Sequence, residues 1–136
     1  MILNKLLNAE FWKFDRKRYK MLYAYDLRFN ASFRNVEKLP KDILHSNEIK
    51  CLSLYRKAQV TQNTIWGRYY FYKLKKFGTH TGINLWQNMH IGKGLIIGHS
   101  GTIILNSGAV FGNHIFLTHG VTIGRDVRGR RKGAPT

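Results

Sequence analysis

Between residues 85 and 123 apolar side chains recur every six positions, and this period constrains the fold more than any other feature of the chain. Leu85, Ile91, Ile97 and Ile103 are six apart; after a slip of two residues, Phe111, Leu117 and Ile123 are six apart again. A second set follows four positions later at Met89, Leu95, Gly101, Ile115, Val121 and Val127. Glycine follows the anchor at Gly92, Gly98, Gly112 and Gly124. A helix repeats at 3.6 residues and a half-buried strand at two, so neither accounts for six. Short strands laid end to end around a three-sided prism do, with two inward side chains on each side and a coil of about eighteen residues. Successive coils then stack in parallel register about 4.8 Å apart. Counted from Leu85, one coil closes at Thr102 and a second, longer one near Thr122.

The N-terminal part obeys other rules. Residues 1–80 hold fifteen of the eighteen aromatics but only two glycines, Gly67 and Gly78, whereas residues 81–136 hold the other eleven. The chain therefore divides into a helical, aromatic and basic region over 1–80 and a repeat region over 81–136, an α+β architecture. Leu3, Leu6, Leu7, Phe11 and Phe14 fall at helical spacing, as do Tyr19, Leu22 and Tyr23, and, after a break at Pro40, Ile49, Leu52 and Tyr55. The clearest helix is expected from about Thr61 to Phe77, with Lys73, Lys75 and Lys76 in its last turn and Gly78 as its C′ residue. Its aromatics read as core and interface.

Charge and cysteine content narrow the function classes. Twenty-three Lys and Arg against seven Asp and Glu give a net charge of +16. That favours phosphate-bearing partners, yet no nucleic-acid motif is present, so charge supports only sequence-independent attachment. The basic, aromatic stretch 66–77 suits a weak contact with an anionic membrane surface. A single cysteine, Cys51, excludes an internal disulfide and a cysteine-rich zinc site. His80, His90, His114 and His119 have no carboxylate or cysteine at ligand spacing, so no metal is expected. The apolar N-terminus is interrupted by Glu10, Lys13 and Asp15 before it reaches the length of a signal or span, and a cytoplasmic location is expected.

Three segments in the repeat region carry a resemblance: Ile91-Gly92-Lys93-Gly94-Leu95-Ile96-Ile97-Gly98-His99, then Ala109-Val110-Phe111-Gly112-Asn113, then Gly120-Val121-Thr122-Ile123-Gly124. In order and spacing they resemble the hexapeptide-repeat acyltransferases, and within them the serine acetyltransferase branch. The resemblance implies a left-handed parallel β-helix of about two coils after the helical region. It implies transfer of acetyl from acetyl-CoA to a hydroxyl of serine, or of a sugar in a surface polysaccharide pathway, by a homotrimer with its clefts between subunits. His99 matches the general base and Asn84 the position of the base's acidic partner; His119, one coil or so after His99, is expected to line the same cleft from a neighbouring subunit, as a substrate-binding residue. The loop 125–132 matches the family's flexible loop, with Arg130, Arg131 and Lys132 as the cations for the CoA phosphates. No metal is implied.

Three departures from the family pattern bear on activity. Asn84 can orient an imidazole but brings no charge to it. Ala134-Pro135 stands where the branch has a second histidine before proline, which shifts the expected acceptor towards sugars. The repeats stop after two coils where the family continues, so the sequence reads as C-terminally shortened, and the isolated coils as marginally stable. Other readings of the same residues are an inactive shortened relative and a basic protein that associates with membrane surfaces or nucleic acid.

Overall fold

Two side-chain caps break the N-terminal apolar stripe into pieces in the computed structural model, which describes residues 2–124, 133 and 135. Asn8 accepts the Glu10 amide at 3.0 Å and Asp15 the Arg18 amide at 3.0 Å. Each cap satisfies an orphan N–H and starts a new element. The stripe from Leu3 to Phe14 is thus a helix α1 (Ile2–Leu7) and a short 3-10 helix (Ala9–Trp12), followed by α2 (Arg16–Phe33). After α3 (Lys41–Leu44), Ser46 caps α4 (Asn47–Val60), whose stripe Ile49, Leu52 and Tyr55 is buried.

Helix α5 runs from Ile65 to Thr81, four residues later at each end than the spacing of its apolar residues indicates. Thr61, Gln62 and Asn63 form a turn, with Asn63 at φ 64°, and the Thr64 hydroxyl then accepts the Gly67 amide at 3.2 Å. At the other end the left-handed residue is Gly82, at φ 75°, and not Gly78. Gly78 lies inside the helix for a different reason. A Cβ there would come within 2.5 Å of the Ile83 carbonyl oxygen, so glycine allows the helix to lie against the strand that follows it.

Among the described residues seven short strands follow: β1 (Ile83–Asn84), β2 (His90–Ile91), β3 (Leu95–Ile97), β4 (Ile103–Leu105), β5 (Val110–Phe111), β6 (Ile115–Leu117) and β7 (Thr122–Ile123). They form three parallel stacks, β1-β4-β7, β2-β5 and β3-β6, one for each side of a prism. Ile83, Leu85, Met89, Ile91, Leu95, Ile97, Ile103 and Leu105 fill its interior, as the six-residue period requires.

The slip of two residues lies elsewhere than between Ile103 and Phe111. Ile83 pairs with Ile103, His90 with Val110 and Leu95 with Ile115, each an offset of twenty, whereas Ile104 pairs with Thr122 and Leu105 with Ile123, an offset of eighteen. The first coil is therefore the long one, and its two extra residues are Gly101 and Thr102. Leu105, not Ile103, is the counterpart of Leu85. Gly101 is no inward position; it turns a corner at φ 117°.

The core is continuous across residue 80: Ala31, Leu52, Tyr55 and Leu74 cluster with Leu85, Ile91, Leu95 and Leu117. Helices α2 and α4 lie against β3, and α5 against β1. Ile96 is buried although it points out of the prism, because the helices cover that side. The Pro135 carbonyl accepts the Val110 amide at 3.1 Å, beside β5.

Candidate active site

The corner that carries His99 runs from Gly98 to Thr102, and groups outside it hold its backbone and that of the strand it leads into. The Gly98 amide donates to the Leu117 carbonyl in the coil above, the Gly101 amide to the Thr81 carbonyl at the end of α5 at 2.9 Å, and Ile103 to Gly82 at 2.8 Å. Between them Glu48, in the first turn of α4, accepts two hydrogen bonds on one oxygen. The Ser100 amide and the Ser100 hydroxyl both reach its Oε1 at 2.8 Å. Burial acts to raise the Glu48 carboxyl, but bonds from its own amide, from Ser100 and from Ser46 outweigh it and hold the group below the ordinary carboxylate value.

His99 projects from this corner into solvent. The twenty-residue coil places His119 directly above it, and the two rings meet edge to face with centroids 5.7 Å apart at 70°. The His119 Nδ1 lies 3.3 Å from the Thr118 hydroxyl, and the Gly120 amide donates to the Thr102 carbonyl at 3.0 Å, tying the upper corner to the lower. His99 and His119 thus stack on one edge of a single chain.

Asn84 lies round the next side of the prism, exposed on β1 beside Ile104. It borders a cleft of about 380 Å³ between β1, β4 and the C-terminal half of α5, lined also by Lys75, Thr79 and Thr102. Among the described residues no hydrogen bond joins Asn84 to His99; the immediate partner of the His99 ring is His119. Arg130, Arg131 and Lys132 lie outside the described residues, as does Ala134. No group of three or more metal-binding side chains occurs among the described residues.

The corner's neighbours include residues with no local signal in the sequence. Asp26 and Arg56 are fully buried and paired twice, Nε to Oδ2 at 2.6 Å and Nη2 to Oδ1 at 3.0 Å. The remaining Arg56 donors reach Gln59 Oε1 at 2.9 Å and the carbonyls of Ile91 and Gly92 at 2.8 and 2.7 Å. Asp26 Oδ1 also accepts the amides of Gly94 and Leu95 at 2.8 and 3.0 Å, and Tyr55 donates to the Met89 carbonyl at 2.6 Å. This network fastens α2 and α4 to the corner one side before that of His99.

No protein-family model and no curated protein matches the sequence. Solved structures do match its fold. The Neisseria gonorrhoeae serine acetyltransferase superposes with a TM-score of 0.69 at 18% identity, over 88% of this chain and 46% of that one. Serine acetyltransferase isoform 3 from Entamoeba histolytica, solved with cysteine, gives 0.64 at 20% over 86% and 42%. A serine acetyltransferase solved with CoA gives 0.67 at 18% over 80% and 47%. The protein therefore has the serine acetyltransferase arrangement of helices followed by stacked parallel strands, and spans about half the length of the structures it matches.

Proposed function

We propose that the protein belongs to an acetyl-CoA-dependent O-acetyltransferase of the serine acetyltransferase type, acting in the cytoplasm on the hydroxyl of serine or of a sugar. The observation that carries this reading is the exposed His99, held on a braced corner of a serine acetyltransferase-like prism with His119 above it. Neutral imidazole is the right group for the task. An alcohol is a poor nucleophile at neutral pH, and a histidine within hydrogen-bond reach takes its proton as the oxygen attacks the thioester carbonyl. The tetrahedral intermediate then expels the CoA thiolate, which recovers the proton from the imidazolium. Donors directed at the developing oxyanion would come from backbone amides of the glycine-rich corners. His119 lines the acceptor side.

The residues present suit this co-substrate in part. The cleft beside Asn84 is at the low end of the size range of small-ligand sites and carries one cation, Lys75. The cations proposed for the CoA phosphates are Arg130, Arg131 and Lys132, and a homotrimer would complete the cleft from a second subunit. The acceptor choice follows from Ala134-Pro135, which lacks the branch's second histidine and so favours a sugar over serine.

The test is thiol release from acetyl-CoA with serine and with a panel of monosaccharides and oligosaccharides as acceptors, read with a thiol reagent. Acceptor-dependent release that His99→Ala abolishes supports the reading, and the active acceptor identifies the substrate class. No release with any acceptor, from a folded protein that binds acetyl-CoA, overturns it.

A further inference from the structure

A second surface has chemistry of its own and lies away from the His99 corner. Helix α5 turns Gly67, Tyr70, Leu74 and Phe77 inward. Its outer face presents Trp66, Tyr69 and Tyr72, at 41%, 50% and 64% exposure, among the exposed cations Arg68, Lys73 and Lys76. The helix contains no Asp or Glu. Its aromatic face continues onto the N-terminal segment. The Trp66 indole donates to the Trp12 carbonyl at 3.3 Å, and the Phe14 ring touches both Trp66 and Tyr70, with centroids at 6.4 and 5.6 Å. Beyond Trp12, α1 exposes Ile2, Leu3 and Leu7, each more than 60% accessible.

We propose that this face docks the protein on the surface of an anionic lipid bilayer. The proposal is independent of the acetyltransferase reading. Tyrosine and tryptophan rings partition to the headgroup level, aliphatic side chains to the acyl boundary, and lysine stems carry their charge to lipid phosphate. The three classes occur together here: rings on α5, aliphatics on α1 and cations among the rings, with Lys73 Nζ 5.2 Å from the Tyr69 ring. Carboxylates on the adjoining segment are engaged elsewhere, Glu10 with Lys13 at 3.8 Å and Asp15 in capping α2. A nucleic acid would meet the cations but gives no return for exposing Ile2, Leu3 and Leu7. A second copy of the chain would bring two sets of Arg68, Lys73 and Lys76 together with no carboxylate on α5 to pair them. Among the described residues no helix is long and apolar enough to cross a membrane, so the face lies on a bilayer and does not span it.

The test is co-sedimentation of the full chain with vesicles of phosphatidylcholine alone or with about one-third phosphatidylglycerol, at physiological salt, where screening acts beyond about 8 Å. Partition onto the anionic vesicles should exceed that onto neutral ones at least tenfold. Tyr69→Ser with Tyr72→Ser, and separately Lys73→Gln with Lys76→Gln, should each weaken it several-fold while circular dichroism stays native. Protein left in the supernatant with anionic vesicles overturns the proposal. So does equal binding to neutral vesicles, or binding that the tyrosine pair leaves unchanged. Two further results would overturn it: tighter retention on duplex DNA than on vesicles, and a stable oligomer in sedimentation velocity that the tyrosine pair dissociates.

Discussion

Arg56 and Asp26 meet in the interior with neither side chain exposed, and the arginine places all five of its N–H groups on partners: two on Asp26, one on Gln59 and two on the carbonyls of Ile91 and Gly92. A buried ion pair is not in itself a source of stability, because desolvation offsets the attraction. Breaking one is different. Asp26→Asn leaves a guanidinium buried without its counter-charge and, with the amide oxygen kept on the Gly94 and Leu95 amides, sets an N–H donor against the Arg56 Nε–H that Oδ2 accepts. A loss of about 3–5 kcal/mol is expected, measured as a fall in the urea midpoint. A variant within 1 kcal/mol of the parent, on the scale of an ordinary surface substitution, would show that water reaches the pair.

Glu48 and Ser100 give the His99 corner a pH dependence. The Glu48 carboxyl is held below its ordinary value of 4.5, so its contribution is complete above that value and is lost as pH falls through the lower folded-state value. Glu48→Gln should flatten the stability profile below about pH 4.5. Glu48→Ala should cost roughly 1 kcal/mol, since the bonds to the charged group lie at a half-exposed site. Acid titration followed by tryptophan fluorescence distinguishes the two, and a Glu48→Gln profile identical to the parent's would remove Glu48 from the acid transition.

Cys51 is fully buried, and burial first, with the nearby Glu48 charge second, raises its thiol to about 12. The folded protein should not react with a thiol reagent at pH 8 and should react stoichiometrically in denaturant. Rapid native labelling would mean that α4 opens locally. The same silence keeps the protein's own thiol out of the CoA-release assay.

Gly78→Ala should destabilise the protein although it improves helix propensity. In an exposed helix interior the change gains about 1 kcal/mol. Here the new Cβ meets the Ile83 carbonyl oxygen at 2.5 Å, and a net loss of about 1–3 kcal/mol is expected from overpacking. Thermal melts of the two proteins decide the sign.

On the proposed acetyltransferase, His99→Ala should lower turnover by about two to four decades, the usual worth of a positioned base. His119→Ala should raise the acceptor KM more than it lowers kcat. Asn84→Asp should raise turnover if position 84 acts on the histidine, by supplying charge to the imidazolium; unchanged kinetics would separate the two residues.

Much of the prism is a local property and can be read from the chain. Alternation along a strand and a fixed corner length decide which side chains point inward, so Leu85, Ile91, Ile97 and Ile103 are buried as their spacing requires. The α4 stripe Ile49, Leu52 and Tyr55 is local in the same sense. Spacing alone cannot locate a slip of two. Ile103 and Leu105 are both apolar, one strand step of two apart, and either satisfies an inward position. Only the pairing of Ile83 with Ile103 and of Leu105 with Ile123 assigns the extra residues to Gly101 and Thr102, and so places His119 over His99.

The polar bracing was decided by tertiary structure alone. Asp26 and Arg56 are thirty residues apart, and Glu48 and Ser100 fifty-two. In the sequence each is one more charged or hydroxyl residue in a strongly basic chain. Burial gives them their roles: with water excluded, the open carbonyls and amides at the prism corners need partners, and at these two corners the helices bring side chains that reach them.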